Sequence, residues 1–112
     1  MKTETFIYEE TIYVIVIGKN KYENWELLEN ANETDIWFHV KSEPSCYVIL
    51  QTEKSIKEIP KQVIKRCACY CKSHSKSKTV KECEIMYSSV KEVCKGKKVG
   101  EAVVKKYKSV CL

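Results

Sequence analysis

Cys67, Cys71 and His74 stand at i, i+4 and i+7, a spacing that would set two thiols and an imidazole on one face of a helix. Such a face could ligate a soft metal ion. Zinc sites, however, normally use a Cys-x2-Cys knuckle completed from a second element, and the sequence has no such knuckle. The same face carries the apolar stripe, so Cys67 and Cys71 are expected to be small buried hydrophobes, with no metal or other cofactor held. Cys69 falls off that face and reads as a partly exposed free thiol. Asp35 and His39 bracket Trp37 and could meet at a strand edge as an acid–base couple; a structural pair is the favoured alternative. No Gly-x-Ser-x-Gly elbow, phosphate loop or His-x-x-x-His pair occurs. No catalytic residue is expected, and none of these groups marks an enzyme.

The basic residues are more coherent. Lys19 and Lys21 enter a helix whose N-terminal amides could also face a phosphate. Lys61, Lys65 and Arg66 stand on a second helix. Lys95, Lys97 and Lys98 fill a loop whose Gly96 and Gly100 would let backbone approach a phosphate closely. The net charge of +5 conceals a split: residues 1–60 hold six Lys against eleven Asp and Glu, residues 61–112 fourteen Lys and Arg against four Glu. Such a chain has a polarised surface only if its halves segregate in space, and a charged face is often merely solvated. Arg66 is the only arginine. Lysine meets phosphate as a point charge and lacks the fork that reads guanine edges, so recognition of backbone and shape is expected rather than base readout. An AT-rich genome would explain the missing arginines equally well.

The elements that must position these groups follow from patterning. Thr3 to Tyr8, a Glu9-Glu10 turn and Thr11 to Ile17 read as a β-hairpin. Its second arm is apolar at almost every position, as suits a central strand covered on both faces. A helix begins after Asn20, which can cap it, with Glu23 at the capping-box spacing. Ile36 to Val40 and Cys46 to Gln51 read as strands joined by the Lys41-Ser42-Glu43-Pro44-Ser45 turn. Pro60 opens a second helix running to about His74, with Val63, Ile64, Cys67, Ala68, Tyr70 and Cys71 inward and a cationic outer stripe that extends to Lys76. Ser73 to Ser77 reads as its exit loop. Val80 to Tyr87, Val90 to Cys94, Ala102 to Val104 and Ser109 to Leu112 are strand candidates. The fold class is α+β: one domain over residues 1–112, a mostly antiparallel sheet with two packed helices.

The run from Gly18 to Leu28 (Gly-Lys-Asn-Lys-Tyr-Glu-Asn-Trp-Glu-Leu-Leu) followed by Asp35-Ile36-Trp37-Phe38-His39-Val40 resembles the NFACT-R domain. That domain is the RNA-binding module of the NFACT proteins of ribosome-associated quality control. The likeness is greatest to its short stand-alone eukaryotic, coiled-coil-domain-containing form. It continues through Ile59-Pro60-Lys61, the Cys67-Ala68 helix interior, Tyr87 and the Lys95 to Gly100 loop, and so covers nearly the whole chain. Family members often place a small residue and His where Cys46-Tyr47 stand here, which removes a polar contact. They often have proline at Val99, whose absence loosens a turn. The resemblance implies binding of structured RNA, with tRNA or ribosomal RNA as ligands and the ribosome as a partner. Tail synthesis cannot be carried over, because the scaffold and long coiled coil of full-length NFACT proteins are missing.

The expected binding residues are Lys19, Lys21, Lys65, Arg66, Lys95, Lys97 and Lys98 on phosphates, with Asn24 and His39 shaping or lining the site. On a strand Trp37 and Phe38 point to opposite faces, so one is core and the other can be exposed. An exposed Trp37 could stack on a base, although packing under the first helix is the favoured alternative. Rival readings are a protein-interaction adaptor, using the acidic first helix or a free strand edge, and an RNA-modifying enzyme around Asp35 and His39. DNA is a further polyanion that backbone recognition would discriminate poorly. The N-terminus lacks an apolar leader and the longest apolar run, Ile12 to Ile17, is too short to cross a bilayer. Seven cysteines, an odd count, then suggest free thiols in a reducing, cytoplasmic setting without membrane contact. Oligomeric state is not legible.

Overall fold

Each element forms where the local chemistry allows it. In the computed structural model, which describes residues 1–41, 43–75 and 81–112, β1 (Lys2–Tyr8) and β2 (Thr11–Ile17) make the expected hairpin. Tyr8 pairs with Thr11, leaving a two-residue turn. Glu9 and Glu10 occupy it with φ of 47° and 67°, the left-handed values such a turn needs and Glu adopts at a cost. Helix α1 (Lys21–Asn30) is capped by Asn20, whose side-chain oxygen accepts from the Tyr22 and Glu23 amides at 3.0 Å each. Glu23 reaches back one residue further than a capping box would, to the Lys19 amide at 2.9 Å.

Strand β3 (Ile36–Val40) lies where the alternation put it. Strand β4 (Val48–Gln51) starts later than expected, because Ser45 and Tyr47 spend backbone groups on the Asn24 side chain instead of on a ladder. Pro60 stands just before helix α2 (Lys61–Ser73); its carbonyl accepts from Val63 and Ile64 at 3.0 and 3.1 Å. Strand β5 (Glu84–Ser89) begins beyond the expected Val80 because Glu82, at φ 58°, turns the chain first. Val90–Glu92 is a single 3-10 turn rather than strand, and the strand there shortens to β6 (Val93–Lys95). Strand β7 (Ala102–Val104) is as expected, and β8 (Lys108–Cys111) closes the chain. Ser42, Lys76, Ser77 and Val80 lie outside the described residues.

The strands pair antiparallel in a six-stranded sheet of order β1-β2-β4-β3-β5-β8 and a separate β6-β7 ribbon. The fold class is thus α+β with two helices, as the patterning required. Helix α2 covers one sheet face, where Phe6, Ile15, Phe38, Val48 and Ile85 meet Val63, Cys67, Ala68 and Cys71. Helix α1 and the β6-β7 ribbon cover the other, burying Trp37, Tyr47 and Ile49 under Leu27, Leu28, Val90 and Val93. Such a three-layer arrangement lets both faces of the sheet bury apolar area at about 25 cal/mol per Å².

Trp37 packs under the first helix, as favoured, and the alternative of an exposed, base-stacking Trp37 falls; the covering of β2 on both faces fails too. Trp37 and Phe38 do point to opposite faces, yet both are fully buried, because β3 has a helix on each side. No face of Trp37 is free to stack on a base. Conversely β2 is not covered on both faces: Tyr13, Ile15 and Ile17 are buried, whereas Ile12 is 67% exposed. Helix α1 reaches only the Val16 end of that face. Sheet order also segregates charge, since the first four strands come from the acidic half and the last two from the basic half.

Replacing Glu9→Asn together with Glu10→Gly supplies residues that tolerate both left-handed positions. Urea unfolding should show a gain of about 1 kcal/mol, and no gain would contradict the turn geometry.

Candidate nucleic-acid interface

The site is assembled around one buried amide. Asn24, on α1, donates from Nδ2 to the Ser45 carbonyl at 3.2 Å and accepts the Tyr47 N–H on Oδ1 at 3.0 Å. Gly18 lies against it: a Cβ there would come within 2.3 Å of Asn24 Oδ1, so only glycine fits. The Gly18 amide donates to the Tyr47 carbonyl at 3.0 Å, locking the end of β2 to the same loop. From the other side the Tyr47 hydroxyl donates to the Gly100 carbonyl at 2.7 Å and Trp25 Nε1 donates to the Glu101 carbonyl at 2.9 Å. Gly100, at φ +88°, sits so close to Lys21 that a Cβ would be 2.6 Å from the lysine Cβ. These contacts pin the Lys95 to Gly100 loop onto the start of α1.

Between them opens a cleft of about 780 Å³. Lys19, Lys21, Asn24, Trp37, His39 and Lys98 all line it, so six of the expected site residues converge from three chain segments. Lys19, Lys21 and Lys98 are exposed and enter no ion pair among the described residues. Several of the amides expected to help are already used. Those of Lys19, Tyr22, Glu23 and Asn24 bond within the helix start, and those of Gly96 and Lys97 go to Glu101. The exposed lysine side chains supply the positive charge at the cleft.

The floor is aromatic. The His39 ring stacks on Trp37 with centroids 5.5 Å apart and planes 5° from parallel, and Tyr47 meets both edge-on. Trp37 Nε1 and His39 Nδ1 are buried and have no hydrogen-bond partner among the described residues. Burial pushes the His39 pKa down to about 4, so the imidazole is neutral at neutral pH and adds no charge to the lysine rim. Tyr47 stands where a second histidine was expected to be missed. Rather than leaving a polar gap, its hydroxyl makes the contact to Gly100.

Other expected residues lie elsewhere, except His74, which also lines the cleft. Lys65 and Arg66 are on α2, across the sheet, where the Arg66 guanidinium stacks 4.7 Å from the Phe6 ring centre. Lys97 is exposed on the loop but does not line the cleft. Lys95 is held by Glu29 and lies 4.9 Å from the Trp25 ring centre. Cys67 and Cys71 face the core, whereas His74 is exposed with Nδ1 on the Tyr70 carbonyl at 2.8 Å. Asp35 sits at the opposite end of β3 from His39 and accepts the Asn32 and Thr52 amides at 2.9 and 3.0 Å. The acid–base couple is not formed. Sequence reasoning missed Lys41 on the cleft. It also missed a second cleft of about 660 Å³ lined by Lys57, Lys91, Lys106, Tyr107 and Lys108. The Lys105 to Lys108 run was its visible signal.

The architecture recurs in the C-terminal of the fibronectin/fibrinogen-binding protein from Streptococcus suis. That structure superposes with a TM-score of 0.84 over 100% of this chain and 45% of the other, a likeness of fold alone at 23% identity. The sequence then specifies the family. Residues 2–105 match the NFACT protein RNA binding domain, and the chain belongs to that family of RNA-binding domains. Its relatives include coiled-coil domain-containing protein 25 of Mus musculus, 43% identical over 65 residues, 56% of this chain and 31% of that protein. Protein JLP2 of Saccharomyces cerevisiae is 41% identical over 70 residues, 58% of this chain and 34% of its own length. These are the stand-alone eukaryotic forms that the resemblance indicated, and the matches span about a third of each.

Asn24→Ala strands a buried N–H and a carbonyl at once and should cost about 2–4 kcal/mol in urea unfolding. The cost of Gly18→Ala should shrink in that background, since the clashing oxygen is gone. Additive costs would show that the two do not touch.

His39 gives a pH signature. Unfolded, it takes a proton near pH 6.5; folded, it refuses one until about 4. Stability contributed by the neutral ring is therefore complete above pH 6.5 and lost on descending to 4, by up to about 3 kcal/mol. Urea titrations at pH 7 and 4.5 should show a smaller drop for His39→Gln than for the native chain; equal drops would refute it.

Proposed function

We propose that the domain is a non-enzymatic module that binds structured RNA, tRNA or ribosomal RNA, through phosphate contacts at the lysine-rimmed cleft. It would act in the cytoplasm, at or near the ribosome, in translation or its quality control. The observation that carries this reading is the convergence of Lys19, Lys21 and Lys98 on one cleft of an RNA-binding-domain family member. Unpaired lysines gain by replacing the counterions condensed on a phosphate backbone, and that gain scales with contacts rather than sequence. The neutral His39 and the enclosed Trp37 belong to the floor and shape the cleft. Duplex DNA would be a weaker competitor for such a surface, and its relative affinity is part of the test.

Two charge reversals of equal size separate a cleft from a generally basic surface. Lys19→Glu with Lys98→Glu should weaken tRNA binding at least about ten-fold and lower the slope of log K against log salt by about two. Lys65→Glu with Arg66→Glu should do much less. Fluorescence anisotropy with labelled tRNA across a salt series reads both. Salt-independent binding, or equal losses in the two variants, would remove the cleft from the account.

A further inference from the structure

Cys46 and Cys71 are twenty-five residues apart in sequence and in contact in the fold. The Cys46 thiol points at the Cys71 carbonyl with Sγ to O of 3.8 Å, and the Cys71 thiol points back at the Cys46 carbonyl at 3.7 Å. The two thiols are also within hydrogen-bonding reach of each other. Reciprocal contacts of this kind hold the two cysteines against each other, as a disulfide requires.

The environments of the two sulfurs differ in the way a sensing pair requires. Cys46 is half-buried and lines the cleft, so a small oxidant in solvent reaches it. Its pKa is lowered, chiefly by the hydrogen bond from Cys71. Cys71 is fully buried, and both the bond to Cys46 and its burial raise its pKa, so it stays a thiol until Cys46 has reacted. An accessible thiolate beside a protected thiol is the arrangement that gives disulfide rather than over-oxidation.

We propose that Cys46 and Cys71 form a peroxide-responsive pair, with Cys46 the reacting thiol and Cys71 the resolving one. In the first step the Cys46 thiolate attacks hydrogen peroxide. An S–O bond forms, the O–O bond breaks, and hydroxide leaves to become water, with Cys46 now a sulfenic acid. In the second, the Cys71 sulfur attacks Cys46 Sγ. The S–S bond forms, the S–O bond breaks, and the Cys71 proton leaves with the hydroxide as a second water. Two thiols have lost two electrons, and one peroxide has taken them. The product staples the loop that Asn24 holds to the last turns of α2. Oxidation therefore tightens the wall of the cleft from behind.

The test uses the native chain and hydrogen peroxide. After a brief stoichiometric exposure and alkylation of the remaining thiols, intact mass should show loss of two hydrogens, reversed by dithiothreitol. Fragmentation should place the bridge between Cys46 and Cys71. Cys46→Ser should abolish that loss while Cys69, Cys94 and Cys111, all exposed, remain. Cys71→Ser should leave a sulfenic acid on Cys46 that dimedone traps. Should Cys71→Ser fail to fold, Cys46→Ser alone still decides. The proposal is overturned if the bridge forms without Cys46, for example between Cys71 and Cys83, or if Cys69 is oxidised first.

Discussion

The Asn24 carboxamide is the constraint on which the rest of the cleft depends. It is buried and joins α1 to the segment entering β4, so neither element can shift without leaving an amide or a carbonyl unpaired. Such a group costs more to leave unmade than it contributes when made, which makes it a device for fixing position rather than for adding stability. Gly18 follows from it, because the approach of Asn24 Oδ1 leaves no room for a side chain. Tyr47 follows as well: its amide is the one Asn24 accepts, and its hydroxyl then carries the constraint on to Gly100. A sequence spacing that looks like a helix start is therefore a set of mutually required contacts.

Through that chain of contacts the two charged halves come together. Sheet order keeps them apart, with β1 and β2 at one edge and β8 at the other. The β6-β7 ribbon crosses back and sets Lys98 beside Lys19 and Lys21. The helix start and the glycine loop both bond several of their amides internally, those of Tyr22, Glu23 and Asn24 to Asn20 and those of Gly96 and Lys97 to Glu101, which withdraws these donors from a phosphate. Gly96 and Gly100 serve packing against Glu101 and Lys21. Lys19, Lys21 and Lys98 supply exposed ammonium groups on the rim.

The hairpin, α1 and β3 were legible because each is set by its own residues: alternation, an Asn cap, a β-branched run. The faces were not. How far Trp37 and Ile12 are covered depends on where α1 and the β6-β7 ribbon lie, and periodicity along one strand carries no such information. The same limit misplaced Lys65 and Arg66. They sit on a cationic stripe of the right chemistry, but α2 packs on the sheet face opposite α1. Lys19, Lys21 and Lys98 do line one cleft, a convergence that the loop's own spacing cannot show because it says nothing about what the loop docks against. A histidine at Tyr47 and this longer phenol reach different acceptors, so a lost histidine is not a lost contact.

The division between rim and floor follows from dielectric environment. Lysines at the mouth stay solvated and charged, so their attraction is long-ranged and salt-sensitive. His39 lies two residues from Trp37, on the same face of the strand, where it is stacked and enclosed, and burial removes its charge at neutral pH. The Glu43 carboxylate on the same cleft favours the charged imidazole, but burial outweighs it. On the proposed function the cleft separates attraction from shape: the exposed lysines would draw a backbone in, and a neutral stack tied to Asn24 through Tyr47 would set how closely it can approach.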